Sequence, residues 1–153
     1  MALTAYAIQN RLFETLMRKG HELICPNITP KGWFESDVFS MTKAGYFVEH
    51  EIKLTVQDFE RDARKGGGTK HRRLADGDTD GPKYFWFVIP EELEGKIECP
   101  AWAGLKLARM HGKRVRLRIV RQAPSRHSAK VGDVVRRQVA DAYYWRFWAL
   151  RRK

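Results

Sequence analysis

The chain has 153 residues, is 43% hydrophobic and 12% aromatic, and carries 29 Lys or Arg against 18 Asp or Glu. This composition excludes a disordered chain and supports one domain with a sizeable core; the absence of any apolar run of about 18 residues excludes a membrane-spanning helix. The net charge of +11 is uneven, because residues 106–153 hold fifteen Lys or Arg against two acids while residues 1–105 hold fourteen against sixteen. A polyanion is therefore the expected partner. Cys25 and Cys99 are too few and too isolated for a disulfide framework or a zinc site. The first residues lack the basic and apolar regions of a secretory signal, so the cytoplasm is the expected setting.

Residues 4–19 read as an amphipathic helix, with Ile8, Leu12 and Leu16 on one side, Phe13 and Met17 flanking them, and Gly20 as a stop. Glu14 falls off the apolar stripe and reads as an exposed partner of Arg18. Cys25 to Gly32 contains two prolines and reads as a loop or an irregular edge strand. Trp33 and Phe34 lead into a β-hairpin, Glu35 to Lys53, turning on Lys43-Ala44-Gly45 with Gly45 at the position that needs a positive φ. Thr42 then faces Tyr46, and Asp37 faces Glu51. Side chains alternate along a strand, so Glu49, Glu51 and Lys53 share the face of Asp37, Phe39 and Met41. Val38, Ser40, Tyr46, Val48 and Ile52 take the other face together with His50, which reads as a core or edge histidine. Carboxylates gathered in this way, with no cation next to them in sequence except Lys53, are unfavourable unless a divalent metal sits among them.

Thr55-Val-Gln-Asp58 is a capped helix start, and the helix is expected to reach about Lys65 with Phe59 and Ala63 inward. Gln57 lies in its first turn, either exposed or turned toward the carboxylates. Residues 66–83 are dominated by glycine and charge and are expected to be the least ordered part of the chain. There Lys70, His71, Arg72 and Arg73 either grip phosphates or form a solvated run. Asp76 to Gly81 imitates a calcium loop, but Phe87 stands where its final glutamate is needed, which excludes calcium. Lys83–Pro90 reads as a central strand buried on both faces. A short helix or turn at Pro90 and a strand over Ala103–Met110 follow. Arg114–Val120 alternates, with Val115, Leu117 and Ile119 inward; the outward Arg114, Arg116 and Arg118 either follow a phosphate backbone or guard a sheet edge. Residues 123–131 read as a polar linker. A final helix starts at Asp133 as N-cap and runs toward Lys153, carrying Tyr143, Tyr144, Trp145, Phe147 and Trp148 among arginines. Its apolar side is expected against the domain, with a second subunit or stacked bases as alternatives.

Asp37, followed after a hydrophobic strand by Glu51-Ile52-Lys53 and then by a helix, resembles the core of the PD-(D/E)XK nuclease superfamily. The likeness spans roughly residues 4–120: a helix, the hairpin, the helix from about Thr55 and the strand Tyr84–Ile89. Ser36 stands where the family has proline before the aspartate. Within the superfamily the chain is most similar to the small single-domain DNA-repair and phage-type branch, such as the MmcB-like proteins. The resemblance implies an α/β fold with a restriction-endonuclease-like core over residues 1–122: a central mixed β-sheet flanked by helices. Residues 123–153 would add a linker and an extra C-terminal helix to the same domain. It also implies a Mg2+- or Mn2+-dependent deoxyribonuclease of bacterial or phage-infected cells. Asp37, Glu51 and the Ile52 carbonyl would hold the metal, and Lys53 would stabilise the charge that develops at phosphorus. Glu49, Gln57 and Glu14 would be supporting residues, since some members bring a carboxylate from the first helix. DNA is the implied partner, with RNA left open. The alternatives are a non-catalytic basic nucleic-acid-binding protein and a homodimeric junction resolvase.

Overall fold

A computed structural model describes residues 2–153. Helix α1 (Ala5–Arg18) is capped by the Thr4 hydroxyl, which accepts from the Ala7 amide, and its buried stripe is Ile8, Leu12 and Leu16. Six strands follow: β1 (Glu22–Ile28), β2 (Ser36–Met41), β3 (Phe47–Ile52), β4 (Tyr84–Pro90), β5 (Ala103–His111) and β6 (Arg114–Arg121). They form one sheet in sequence order. The β1–β2, β2–β3 and β5–β6 pairs are antiparallel, and β3–β4 and β4–β5 are parallel. The molecule is therefore an α/β protein with a mixed central sheet flanked by helices. The parallel β3–β4 pair needs a crossover, which α2 (Val56–Arg64) and α3 (Thr69–Ala75) supply. Helix α4 (Asp133–Arg151) closes the chain.

The hairpin has the expected register. Val38 faces His50 and Phe39 faces Glu49, and the same ladder continued by one residue sets Asp37 against Glu51. The turn closes with Thr42 N–H on the Tyr46 carbonyl at 2.8 Å, and Gly45 adopts φ +95°, a conformation that costs a residue with a Cβ more than it costs glycine. Two apolar layers sandwich the sheet. Val38, Ile52, Val88, Ala108 and Val115 pack under α1, while Phe39, Phe47, Phe59, Phe85 and Phe87 form the opposite layer under α2 and α3. Strand β4, buried throughout from Phe85, is central as expected.

Thr55 caps α2, its hydroxyl accepting from the Asp58 amide at 3.0 Å. Thr55→Ala should cost about 1 kcal/mol and lower the melting temperature by roughly 2–4 °C, read by thermal unfolding under circular dichroism.

Three expectations are corrected. Residues 66–83 are folded, because Gly66, Gly67 and Gly68 adopt φ of +61°, +70° and +77° and turn the chain into α3. Ile119 is 40% exposed, beside a register shift in β5 between Leu105 and Lys106. The N-cap of α4 is Gly132, with extended φ and ψ, and Asp133 sits in the first turn, where its charge complements the helix dipole.

Residues 123–131 are laced to the core: the Arg126 amide donates to the Lys83 carbonyl and the Val131 amide to the Gly45 carbonyl. One side of α4 covers the edge strand β1: Val139 is buried, the Gln138 amide donates to the Thr29 carbonyl at 2.8 Å and, further along, the Arg146 guanidinium donates to the Pro26 and Asn27 carbonyls. Apart from that arginine its second half projects, leaving Trp145 68% and Leu150 70% exposed. No helix among the described residues is long and apolar enough to cross a membrane.

Candidate active site

The end of the hairpin remote from its turn carries Asp37 on β2 and Glu51 on β3, with Lys53 just beyond β3. Asp37 is fixed by the residue after its register partner: Oδ2 accepts the Ile52 amide at 2.7 Å. Its backbone carbonyl in turn accepts from Gln9 of α1 at 3.0 Å. Glu51 is held from two sides, Oε1 by Lys53 Nζ at 3.1 Å and Oε2 by Lys70 Nζ at 3.4 Å. Lys53 also reaches Asp62 Oδ2 of α2 at 3.3 Å. Asp37, Glu51, Asp62 and Lys70 line a cavity of about 390 Å3, with Phe34 and Lys65 at its margin.

Glu49 lies deeper and is fully buried. Oε1 accepts the Trp33 indole N–H at 2.8 Å and Oε2 accepts Lys70 Nζ at 2.6 Å. The indole can lie there because Gly81 has no side chain: a Cβ at that position would stand 2.5 Å from Trp33 Cη2.

The electrostatics follow from burial and crowding. Burial, and then the neighbouring Glu51, push the Asp37 carboxyl up to about 6, as expected where a carboxylate is both desolvated and beside another. Burial also pushes Glu49 up, against the opposing pull of the Lys70 ammonium. For Lys53 and Lys70 burial alone would favour the neutral amine, but the surrounding carboxylates reverse this and raise both. Asp37, Glu49, Glu51 and Asp62 gather four carboxyl groups around the ammonium groups of Lys53 and Lys70. A divalent cation would relieve that crowding. Magnesium is commonly held by one or two carboxylates with water and substrate phosphate filling the remaining positions, so Asp37 and Glu51 fit Mg2+ or Mn2+. Among the described residues, no three His, Cys, Asp or Glu side chains are already gathered as a complete metal cage.

Several expected positions move. Lys70 and His71 do not face solvent as phosphate grips: Lys70 is the counter-ion of Glu49 and Glu51, and His71 packs edge-on against Phe59 and Trp102. Arg73 stacks over Trp33 and pairs with Asp78 at 2.6 Å, and only Arg72 of that run is exposed. Glu14 lies on the outer side of α1, paired with Arg11 at 2.8 Å rather than with Arg18, and contributes nothing to the carboxylate cluster. Gln57 is exposed and absent from the cavity; α2 contributes Asp62 instead. Arg114, Arg116 and Arg118 are exposed on the edge strand β6, and Arg118 meets Glu94 at 3.3 Å. They alternate with Val115, which packs under α1, so they project on the sheet face that carries Glu49 and Glu51.

Sequence reasoning missed Asp62 and the roles of Trp33 and Lys70. Asp62 had a legible signal, since Asp58 and Asp62 lie one turn apart on α2 and Lys65 follows at its end. All three line the groove beside Asp37 and Lys53.

The chain matches no protein-family model and no curated protein. It is similar in fold to a solved protein of unknown function from Silicibacter pomeroyi, with a TM-score of 0.71 at 20% identity, over 99% of this chain and 94% of that one. That likeness extends to the fold alone.

Proposed function

We propose that the chain is a metal-dependent nuclease with a restriction-endonuclease-like core, hydrolysing DNA phosphodiester bonds with an activated water. The observation that carries this reading is the opposition of Asp37 and Glu51 on one sheet face beside a cavity, with Lys53 against Glu51 and lining the adjoining groove. Asp37 and Glu51, with the Ile52 carbonyl, are the residues to hold Mg2+ or Mn2+. When bound, such an ion neutralises charge at the scissile phosphate and lowers the pKa of its water. Lys53, shared between Glu51 and Asp62, offers its ammonium to the phosphate oxygens as charge builds there. Lys70 fixes the far oxygen of Glu51. Arg72 and the β6 arginines supply outlying phosphate contacts, and a DNA substrate places the protein in the cytoplasm.

Lys53→Met is expected to lower cleavage of plasmid or single-stranded DNA in Mg2+ or Mn2+ by about a hundredfold or more, with DNA binding retained in a gel-shift assay. Equal cleavage by both proteins would end the catalytic reading.

One observation favours a second reading, a non-catalytic nucleic-acid-binding protein: both Glu51 oxygens already have ammonium partners. Tight DNA binding without cleavage, and divalent-ion affinity unchanged in Glu51→Gln, would establish it. The projecting aromatic end of α4 leaves room for a homodimeric junction resolvase, which solution mass and cleavage of branched DNA would reveal.

A further inference from the structure

The opposite face of the sheet holds a second cluster of titratable groups, separate from the carboxylates. A cavity of about 320 Å3 lies there beside the end of α1, lined by Lys19, His21, Thr42, His50, Trp86 and Lys106 among others. Its lining includes four basic side chains and no Asp or Glu. Lys106, from β5, is 5% exposed, and its Nζ lies 2.9 Å from His50 Nε2 and 4.4 Å above the Trp86 ring. No carboxylate partners it among the described residues.

His50 is fully buried and stacks on Trp86. With Nε2 taken by Lys106, its Nδ1 has no partner. Whichever tautomer the ring adopts, one buried nitrogen is left unsatisfied, which is costly in a folded protein. His21 points Nδ1 at Ser40 Oγ, 2.9 Å away. Burial, with Lys19 adding to it, lowers the Lys106 ammonium to about 7, and burial holds His50 well below its ordinary value. The groups facing Lys106 are thus Lys19 at the end of α1, His21 just before β1, His50 on β3 and Tyr84 and Trp86 on β4. None of them carries negative charge at neutral pH.

Buried positive charge without a counter-ion is expensive, and a cavity that gathers it while remaining large enough for a small molecule suits an anion. A dianion can pair with the two ammonium groups of Lys19 and Lys106, and a tetrahedral oxyanion can accept hydrogen bonds from the lysines and His21 at once. We propose that this cavity binds a phosphate dianion, either free or as a phosphate monoester, with Lys106 as the principal donor and Lys19 and His21 around it. The site is independent of the carboxylate face and does not rest on the nuclease reading.

The test is calorimetric titration of the intact chain with inorganic phosphate, sulfate and adenosine 5′-monophosphate at pH 7, on wild type, Lys106→Met and, on the exposed side of α4, Arg137→Ala. Wild type should bind saturably. Lys106→Met should weaken binding at least tenfold while keeping a native circular dichroism spectrum, and Arg137→Ala should leave binding unchanged. Because sulfate carries no titrating proton near neutrality, its binding to wild type at pH 7 should take up a proton fraction that Lys106→Met loses, as the half-charged Lys106 becomes fully charged. Inorganic phosphate binding as tightly as the nucleotide would identify the free ion as ligand, and tighter nucleotide binding would identify the ester. His21→Ala should weaken phosphate severalfold, which tests the cavity should Lys106→Met fail to fold. No saturable binding, or binding that survives Lys106→Met or falls equally in Arg137→Ala, overturns the proposal.

Discussion

Asp37→Asn should abolish Mg2+-dependent DNA cleavage, by about a thousandfold or more, while the protein becomes more stable. The two effects have one cause. Asp37 is crowded by burial and by Glu51 until its carboxyl titrates at about 6. Its folded-state value therefore lies above the ordinary 3.8, so the folded chain holds the proton more firmly than the unfolded one. Stability is full below the ordinary value and declines as pH rises toward 6, by up to roughly 3 kcal/mol once the group is ionised. Asparagine carries no charge, yet its oxygen can still accept the Ile52 amide that Asp37 Oδ2 accepts at 2.7 Å. Urea unfolding of wild type and variant between pH 4 and pH 7.5 should therefore diverge as pH rises, with the variant ahead at neutral pH. Cleavage by wild type should rise through about pH 6 as the carboxylate forms. A variant that keeps its cleavage, or is much less stable than wild type at pH 7, would contradict this account of Asp37.

The second large effect concerns Lys70. Among the described residues its ammonium is the only cation within salt-bridge reach of the fully buried Glu49, and it also meets Glu51. Lys70→Met leaves that carboxylate buried without a counter-ion, a change that typically costs about 3–5 kcal/mol. For a chain of this length the melting temperature should fall by roughly 10 °C. Adding Glu49→Gln should restore most of it, because the amide oxygen can still accept the Trp33 N–H that Glu49 now accepts at 2.8 Å. The measurement is a double-mutant cycle in urea. A double variant as unstable as Lys70→Met alone would show that packing, not charge, is what Lys70 supplies.

These two residues mark how far the sequence could be read. Asp37 was legible because period-two alternation and a Lys-Ala-Gly turn together leave one register for the hairpin, and that register is the one observed. Strand β4 was legible as an apolar run between turn signals, and its central position followed from it. Lys70 was not. It lies after three glycines, in a helix whose one buried residue is Leu74, so no hydrophobic period marked α3 as ordered. Glycine composition reads as flexibility when each residue is taken alone. Here three successive positive φ angles build one specific reversal, which turns a lysine inward. Glu14 and Gln57 came from resemblance rather than from their own pattern, and the outward sides of α1 and α2 kept them away from the carboxylates. Why the projecting half of α4 keeps its rings in solvent has no account in the folding of the domain.

The bare backbone at Gly81 has a reach well beyond its own loop. Any larger residue there would drive the Trp33 ring out of its berth, and Glu49 would lose the indole donor. Lys70 would then be drawn more strongly to Glu49 and away from Glu51. A missing methyl group thirty residues down the chain thus helps decide how one ammonium is divided between two acids, and how much negative charge Glu51 presents to an incoming cation.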